Sequence, residues 1–492
     1  MLDKLKRLSK DTMIYGTSTI IGRFLNFLFV PIYTNLFLPG EFGIVANIYA
    51  YIAILNVFLS VGLESGYFKF ASTLEVGSEK ENFSHPFLGI FLNSFLLSGV
   101  LFVFAGDFTY LFQIDPSQAG LLRWTALILF FDAISLVPFA YLRLQHKPMK
   151  FAVIRIANIV LNVAFNLLFI LVLRKGIEYV FISNVIASGV TFLLLTPIVF
   201  RNFKISFNKK LWSELLRFSL PYIPAGISSN IIQVVNRPIL TALTNDTTVG
   251  IFQANYRLGI FMMLFVSMFE FAWRPFFLQN AKEPNAKEIF AKVMTAFVVL
   301  MSLVFLILTY FIDDIVSIKL PGKGHLLGMA YWSGLVIVPV ILLAYFFYGI
   351  YINLMAGIYI EKKTKYLPYI TGGAAVINVA ANFLLIPQMN MMGSAIATLL
   401  SYIVMAGGIY YWAQKYYYIK YEFGKIGMLF ILIAVFYIVF ESLQRLFGTV
   451  GAGGIIVTDS WFWAVKIGLI LLFVTLIFVS NIIDYKVIRR FI

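Results

Sequence analysis

Fourteen apolar segments, each about 20 residues long, restrict the fold of this chain more than any other feature. A segment of this length spans the hydrocarbon core of a bilayer as a helix, and a helix satisfies its own backbone polar groups in lipid. The loops between the segments are short, so we predict an all-α polytopic membrane protein with 14 transmembrane helices. The segments are centred near Leu25, Ile52, Leu97, Phe130, Val163, Val190, Ile231, Met263, Val299, Leu342, Val376, Ile403, Ile433 and Leu471.

The chain also contains an internal duplication. The stretch from Thr12 to Tyr49 recurs from Ser219 to Tyr256 at constant offset, and LNVAFNLLFI, which begins at Leu161, resembles INVAANFLLI, which begins at Ile377. The first repeat aligns Tyr15 with Tyr222, Pro31 with Pro238, Thr34 with Thr241, Gly43 with Gly250 and Tyr49 with Tyr256. We therefore predict two repeated lobes.

The spacing of the two repeated segments assigns six helices to each lobe. Because six is an even number, both lobes enter the membrane from the same side, which predicts a pseudo-two-fold axis along the membrane normal. The predicted divisions are 1–205 for the N-terminal lobe, 206–420 for the C-terminal lobe and 421–492 for two extra C-terminal helices.

Composition and charge agree with a membrane protein whose two termini lie on one side. Apolar residues make up 61% of the chain and charged residues 12%, whereas about a quarter of the residues in soluble proteins are charged. Most of the 38 Lys and Arg residues fall in alternate loops, so both termini are expected in the cytoplasm. The net charge of +15 is therefore assigned to topology and not to nucleic-acid binding, and the lack of Cys excludes disulfides and thiolate metal sites.

Four arginines lie within predicted spans, where a charge facing lipid would be costly. Arg23 and Asn26 belong to a polar stripe on the first helix, Arg237 to the corresponding stripe on the seventh, and Arg155 and Arg257 lie in the fifth and eighth helices. These five residues are the candidates for substrate binding. The alternative is snorkelling or helix-to-helix ion pairing, which suits Arg155 near the cytoplasmic edge better than Arg23.

Asp132 in the fourth helix and Glu270 in the eighth are the main acids deep in the predicted spans. Either could carry a coupling proton or hold sodium. Glu270 precedes Arg274 by four residues, which favours an intrahelical ion pair, whereas Asp132 has no basic residue one turn away.

Two further patterns have a structural or negative interpretation. The asparagine pairs Asn162 with Asn166 and Asn378 with Asn382 are expected to be hydrogen-bonding links between helices. No catalytic motif occurs, and the three histidines are scattered over loops, so an enzyme is not expected.

The opening KDTMIYGTSTIIGRFLNFLFVPIYTNLFLPGEFGIVANIY, the shared NVAxN element and the two six-helix lobes resemble the polysaccharide-biosynthesis (O-antigen type) flippases. These proteins belong to the multidrug, oligosaccharidyl-lipid and polysaccharide (MOP) exporter superfamily. The resemblance implies transfer of an undecaprenyl-diphosphate-linked oligosaccharide between the leaflets of the bacterial inner membrane by alternating access. It also implies polysaccharide polymerase or assembly partners.

The substrate and the coupling stay open at this stage. Arginine pairs with phosphate through two parallel hydrogen bonds, so a cavity rich in arginine suits the diphosphate of the lipid-linked oligosaccharide. The alternative functions are a peptidoglycan lipid-precursor flippase and an ion-coupled multidrug antiporter. No cofactor is expected, and coupling could use a Na⁺ or H⁺ gradient or the membrane potential.

Overall fold

The computed structural model describes residue 27 and residues 29–320, 324–450, 456–457 and 461–482. The chain divides into two compact units, Met1–Gly250 and Ile251–Ile492, which are treated separately below.

The described part of the first unit is helical. Its membrane-spanning helices are joined by short helices, and a π-helical turn over Leu167–Val172 continues the helix that ends at Asn166. The helices are α1 (Phe29–Leu36), α2 (Pro39–Ser60), α3 (Leu63–Thr73), α4 (Glu79–Val103), α5 (Ala105–Phe112), α6 (Ala119–Leu144), α7 (Pro148–Asn166), α8 (Glu178–Asn202), α9 (Lys209–Ser219), α10 (Tyr222–Val234), α11 (Asn236–Leu243) and α12 (Asp246–Tyr256), the last of which runs into the second unit.

Local sequence explains where several of these helices begin. Pro39 is the first residue of α2, a position that needs no amide N–H, and the Glu41 carboxylate accepts a hydrogen bond of 2.9 Å from the Leu38 amide. Ser78 and Glu81 form a reciprocal capping box at the start of α4.

Helix α6 is the centre of the first unit. It packs between α4 and α8, and 72% of its most apolar stretch is buried, compared with 17% for α7 and its π-helical extension. The outer side of α7 therefore faces lipid, while the polar groups of α6 face other protein segments.

Helix α9 is amphipathic and lies in a stretch that the sequence presents as a basic loop. Leu211 and Leu215 are both buried, Leu215 close to Gly66 in α3 and Leu211 close to Gly77. Lysines and Arg217 occupy the other face, as in an interfacial helix. The chain before α9 is held by His85, whose Nε2 atom accepts a hydrogen bond of 2.8 Å from the Asn208 amide.

The repeat-related glycines Gly43 and Gly250 meet at a helix crossing within the first unit. A Cβ atom added to Gly43 would overlap the carbonyl oxygen of Asp246, and one added to Gly250 would overlap that of Pro39. Each added atom would also lie 3.0 Å from the backbone nitrogen of the other glycine. Glycine at both positions is what lets the two backbones approach this closely.

The second unit is also mainly helical. The helix Met391–Tyr416 packs against both Val338–Ile360 and Leu367–Met389. Its helices are α13 (Ile260–Asn280), α14 (Ala286–Val316), α15 (Val338–Ile360), α16 (Leu367–Met389), α17 (Met391–Tyr416), α18 (Phe423–Phe447) and α19 (Phe462–Val479), with 3₁₀ turns at Arg257–Gly259, Met329–Ile337 and Thr364–Tyr366.

The two C-terminal helices, α18 and α19, contact the end of α14 through polar groups. Lys466, only 1% exposed, forms an ion pair with Asp314, and Trp463 donates a hydrogen bond of 3.1 Å to the same carboxylate. Gln444 donates one of 2.9 Å to Asp313. A buried lysine therefore has its counter-ion within the contact between these helices.

Twelve helices among the described residues are long and apolar enough to cross a membrane, which confirms the prediction of a polytopic helical membrane protein. They correspond to predicted segments two to six and eight to fourteen. The first predicted segment lies largely outside the described residues. The seventh is divided into α10 and α11, in part because Pro238 has no amide N–H to continue the hydrogen-bonding pattern of α10.

The prediction of an all-α fold needs one small correction. Two antiparallel pairs of two-residue strands occur in the second unit, β1 (Lys319–Leu320) with β2 (Gly324–His325) and β3 (Thr449–Val450) with β4 (Ile456–Val457). The lobe boundaries at 205 and 420 and the pseudo-two-fold axis stay predictions.

Candidate functional site

A polar cavity of about 480 Å³ opens among the membrane-spanning helices of the first unit. Its walls come from α2, α3, α6, α7, α8 and α10. The polar lining consists of the carboxylates Glu64 and Asp132, the guanidinium of Arg155, the amides Asn56, Asn158, Asn184 and Asn230, and the hydroxyls Ser60, Ser135, Ser188 and Thr191. Because polar groups in membrane-spanning helices are costly unless they have a function, this cavity is the candidate functional site.

Asp132 is held by hydrogen bonds from α8. The Ser188 hydroxyl donates to its Oδ1 atom at 2.7 Å and also lies 3.4 Å from Oδ1 of Asn184. The Asn184 amide in turn donates to the Tyr49 hydroxyl at 2.9 Å. A chain of polar side chains therefore fixes the carboxylate at the cavity wall.

Arg155 supplies the positive charge of the cavity. Its guanidinium carbon lies 4.7 Å from the ring centroid of Phe139, within the range of a cation–π contact. Asp132 attracts it electrostatically, but among the described residues no carboxylate oxygen lies within 4.0 Å of its nitrogens. Its five N–H donors are therefore not used up by a local ion pair.

Glu64 is neutralised by a neighbour outside the lining. It forms an ion pair with Arg143, whose guanidinium lies 4.8 Å from the Phe68 ring centroid. Asp132 and Arg155 are then the two lining charges that face each other without a direct ion pair.

Two amides of the cavity are held by hydrogen bonds, one to a neighbouring helix and one within the same helix. Asn158 donates to the Thr191 hydroxyl at 2.8 Å, and Asn230 donates to the Gly226 carbonyl at 3.0 Å. The amide oxygens and remaining donors can serve a ligand that presents hydroxyl groups.

Of the residues predicted from the sequence, Asp132 and Arg155 are brought together in this cavity. Arg237 in α11 is 7% exposed and donates to the Gln233 carbonyl at the end of α10. Arg257 lies in the second unit, in the 3₁₀ turn before α13. Arg23 and Asn26 lie outside the described residues.

Glu270 forms the intrahelical ion pair that its spacing predicts. Its Oε1 atom lies 3.4 Å from Arg274 Nη2, and the Tyr359 hydroxyl lies 3.5 Å from the same nitrogen. This geometry favours the structural interpretation of Glu270 over the ion-coupling one.

Glu64, Asn184 and Ser188 were not identified as site residues from the sequence. Asn184 and Ser188 are four residues apart and so share a helix face, which is a signal that could have been used. Glu64 follows a long apolar segment, and its charge is the only feature in the sequence that could have indicated a site residue. As for metals, the described residues contain no group of three or more His, Asp or Glu side chains that could hold an ion.

Comparisons with known proteins agree with this architecture. The family described as "Polysaccharide biosynthesis protein" matches residues 8–281, and no curated protein matches by sequence.

Solved structures share the fold at low sequence identity. A "Lipid II flippase MurJ, inward closed conformation" has a TM-score of 0.74 at 16% identity, over 96% of this chain and 100% of that one. An inward-facing "multidrug resistance MATE family transporter of the MOP superfamily" has a TM-score of 0.59 at 14% identity, over 83% and 95%. A MOP superfamily transporter from Pyrococcus furiosus has a TM-score of 0.53 at 13% identity, over 86% and 95%.

Proposed function

The chain belongs to the polysaccharide biosynthesis protein family, and from this membership we propose that it moves an undecaprenyl-diphosphate-linked oligosaccharide across the bacterial cytoplasmic membrane. Transfer would run from the inner to the outer leaflet by alternating access and would supply surface polysaccharide assembly.

The observation that carries this proposal is the polar cavity of the first unit. Its volume is typical of sites that enclose small ligands, and its lining of amides and hydroxyls matches the donors and acceptors of a sugar. A purely lipidic substrate would not need such groups within the membrane. We assign the cavity to the glycan part of the substrate, with Arg155 as the charged partner of sugar hydroxyls.

The diphosphate requires cationic groups, and the arginines of the predicted spans are the candidates. Two phosphates carry concentrated negative charge, which a guanidinium can meet through two parallel hydrogen bonds. We propose Arg23, Arg237 and Arg257 for this role, with Asn26 beside Arg23 on the same polar stripe.

The ion that drives transport would bind at Asp132. A carboxylate that faces a cavity can change its protonation or its cation as the cavity opens to either side. Glu270 is the weaker candidate because Arg274 already neutralises it.

We propose that both termini face the cytoplasm, as the distribution of basic residues indicates. The chain has no Cys, so single cysteines can report the topology without background. Cysteines at Lys6, Lys209, Lys363 and Arg490 should be labelled from the cytoplasm, and those at Glu41, Asp115 and Asn390 from outside. The opposite labelling pattern would contradict the proposed orientation of the chain.

Reconstitution of the purified protein in liposomes tests the function. An undecaprenyl-diphosphate-linked oligosaccharide should move between leaflets, and mass spectrometry should show its sugar unchanged. Arg155→Ala should lower the initial rate by about ten- to a hundredfold, which corresponds to the loss of a charged hydrogen bond of about 1.5–3 kcal/mol. Arg201→Ala, which removes an exposed arginine at the end of α8, is the matched control.

Other substrates distinguish the alternatives. Faster transfer of a lipid-linked peptidoglycan precursor than of the oligosaccharide would favour the precursor flippase. Movement of cationic dyes without transfer of either glycolipid would favour a multidrug antiporter.

A further inference from the structure

Three aromatic rings are stacked where α16 begins and α17 ends, at one edge of the second unit. Tyr366 and Trp412 lie 3.9 Å apart between ring centroids with 15° between their planes. Tyr416 lies 5.6 Å from Tyr366, and the two tyrosine hydroxyls are 2.7 Å apart. The rings therefore form one rigid platform across two helices.

Each ring of this platform has a lysine above it. Lys363 Nζ lies 5.0 Å from the centroid of Tyr416, Lys365 Nζ lies 5.3 Å from that of Tyr366, and Lys415 Nζ lies 5.4 Å from that of Trp412. Ring faces attract ammonium groups. The platform therefore gathers three positive charges that would otherwise be mobile.

Local carboxylates do not neutralise these charges. Among the described residues, none of the three lysines has a carboxylate oxygen within 4.0 Å. The nearest acids in sequence are Glu361 and Glu422, and Glu422 already binds Lys425 at 2.8 Å and Thr295 at 2.6 Å. The cluster is therefore a surface of net positive charge.

An apolar track leads from this cluster along α16. Tyr369, Val376 and Phe383 are 76%, 68% and 52% exposed, and steps of seven residues keep them near one helix face. Gly373 lies beside them, and a Cβ atom there would meet open space. A headgroup site and a surface for an acyl chain are therefore continuous.

We propose that the platform formed by Lys363, Lys365, Tyr366, Trp412, Lys415 and Tyr416 binds the phosphodiester headgroup of an anionic phospholipid, with an acyl chain along α16. Clustered lysines with Tyr and Trp are typical of the membrane interface on the side with the anionic leaflet. The site has lysines and no arginine. It therefore offers point charges suited to a single phosphate more than the two-pronged geometry that favours a diphosphate.

This inference does not depend on the transport substrate, and lipid binding can be measured without transport. The full chain is reconstituted in phosphatidylcholine vesicles that contain increasing amounts of brominated phosphatidylglycerol or brominated phosphatidylcholine. The chain has seven Trp, so the signal of Trp412 is obtained as the difference from Trp412→Phe.

Quenching of Trp412 should require at least about fivefold less brominated phosphatidylglycerol than brominated phosphatidylcholine, and about 0.5 M NaCl should weaken this preference. A basic residue near an anionic surface contributes about 1 kcal/mol, which corresponds to about fivefold. The triple variant K363Q/K365Q/K415Q should lose the preference, and K363R/K365R/K415R should keep it.

A matched triple variant, K147Q/K150Q/K204Q, removes the same charge from the first unit and should leave the Trp412 signal unchanged. Equal quenching by the two lipids, no response to salt, or an equal loss in this control would overturn the proposal. Displacement of the phospholipid by about tenfold less polyprenyl diphosphate would assign the platform to the lipid-linked diphosphate instead. The salt series needs only the unmodified chain and Trp412→Phe, so it decides the proposal even if a triple variant does not fold.

Discussion

Helix α7 of the first unit and helix α16 of the second carry the same asparagine pair in different surroundings. Asn166 donates to the Asn162 carbonyl at 2.8 Å, and Asn382 donates to the Asn378 carbonyl at 2.8 Å. Each donor also reaches the side-chain oxygen of the earlier asparagine, at 2.6 Å and 3.0 Å. The duplicated sequence thus forms the same local hydrogen bonds in both units.

The two helices differ in the residues one and two turns before the asparagine pair. Arg155 and Asn158 line the polar cavity of the first unit. The residues at the same spacing before the second repeat are Thr371 and Ala374, and Thr371 donates to the Leu367 carbonyl of its own helix while Ala374 is buried. Duplication has therefore preserved the structural hydrogen bonds, while the charge of this helix face occurs in the first copy alone.

The largest loss of stability and transport is expected at the helix crossing in the first unit, where the repeat-related glycines Gly43 and Gly250 meet. Gly43→Ala would place a Cβ atom against the Asp246 carbonyl. Because this oxygen belongs to the backbone, it cannot move aside as the end of a flexible side chain can. We expect a loss of about 3 kcal/mol in stability, at the upper end of typical overpacking, together with loss of transport. Unfolding in detergent and liposome transfer measure the two.

Gly250→Ala should be as damaging as Gly43→Ala, because its Cβ atom would meet the Pro39 carbonyl in the same way. Gly99→Ala in α4 is the control, since no atom lies within 4 Å of the added Cβ and alanine is the better helix former. Unequal losses at the two repeat positions would show that the crossing is not symmetric in energy.

The next largest effect is expected on the transport rate, when the chemical difference between the two copies is removed. The double variant R155T/N158A gives α7 the residues of α16, so it should keep the fold and lower glycolipid transfer by at least about tenfold. The reciprocal variant T371R/A374N should not increase transfer, because Ala374 is buried and offers no cavity to an amide. Normal transfer by R155T/N158A would mean that the polar face of α7 is structural.

A smaller and more selective effect is expected at Asp132. Asp132→Asn keeps the shape of the side chain and can still accept from Ser188, but it cannot release a proton or balance a cation. We expect unchanged binding of the glycolipid and loss of the dependence of transport on a proton or sodium gradient. Transfer rates measured with each gradient imposed separately test this, and an unchanged response to both gradients would leave Asp132 with a structural role.

The sequence predicted the membrane helices well because apolar length is a local property. It also predicted the Glu270–Arg274 pair, which depends on spacing within one helix. It could not show that Asp132 and Arg155 share a cavity, since α6 and α7 bring them together through packing. The division of the seventh span was signalled by Pro238, but a proline in a membrane helix can equally produce a kink, so the break had to be observed.

The smallest effect is expected on stability, when Asn166 or Asn382 of the shared asparagine pairs is replaced. The bonds to Asn162 and Asn378 lie within one helix, and a typical intramolecular hydrogen bond contributes about 0.5–1.5 kcal/mol net. Asn166→Ala and Asn382→Ala should therefore each lower stability by about the lower end of that range. Asn166 has an additional role, because the buried Tyr33 hydroxyl donates to its Oδ1 atom at 2.7 Å. Asn166→Ala should therefore cost more than Asn382→Ala, and the excess should shrink when both are measured in a Tyr33→Phe background. Equal losses in both backgrounds would show that the Tyr33 contact contributes nothing and that the two repeats are equivalent at this position as well.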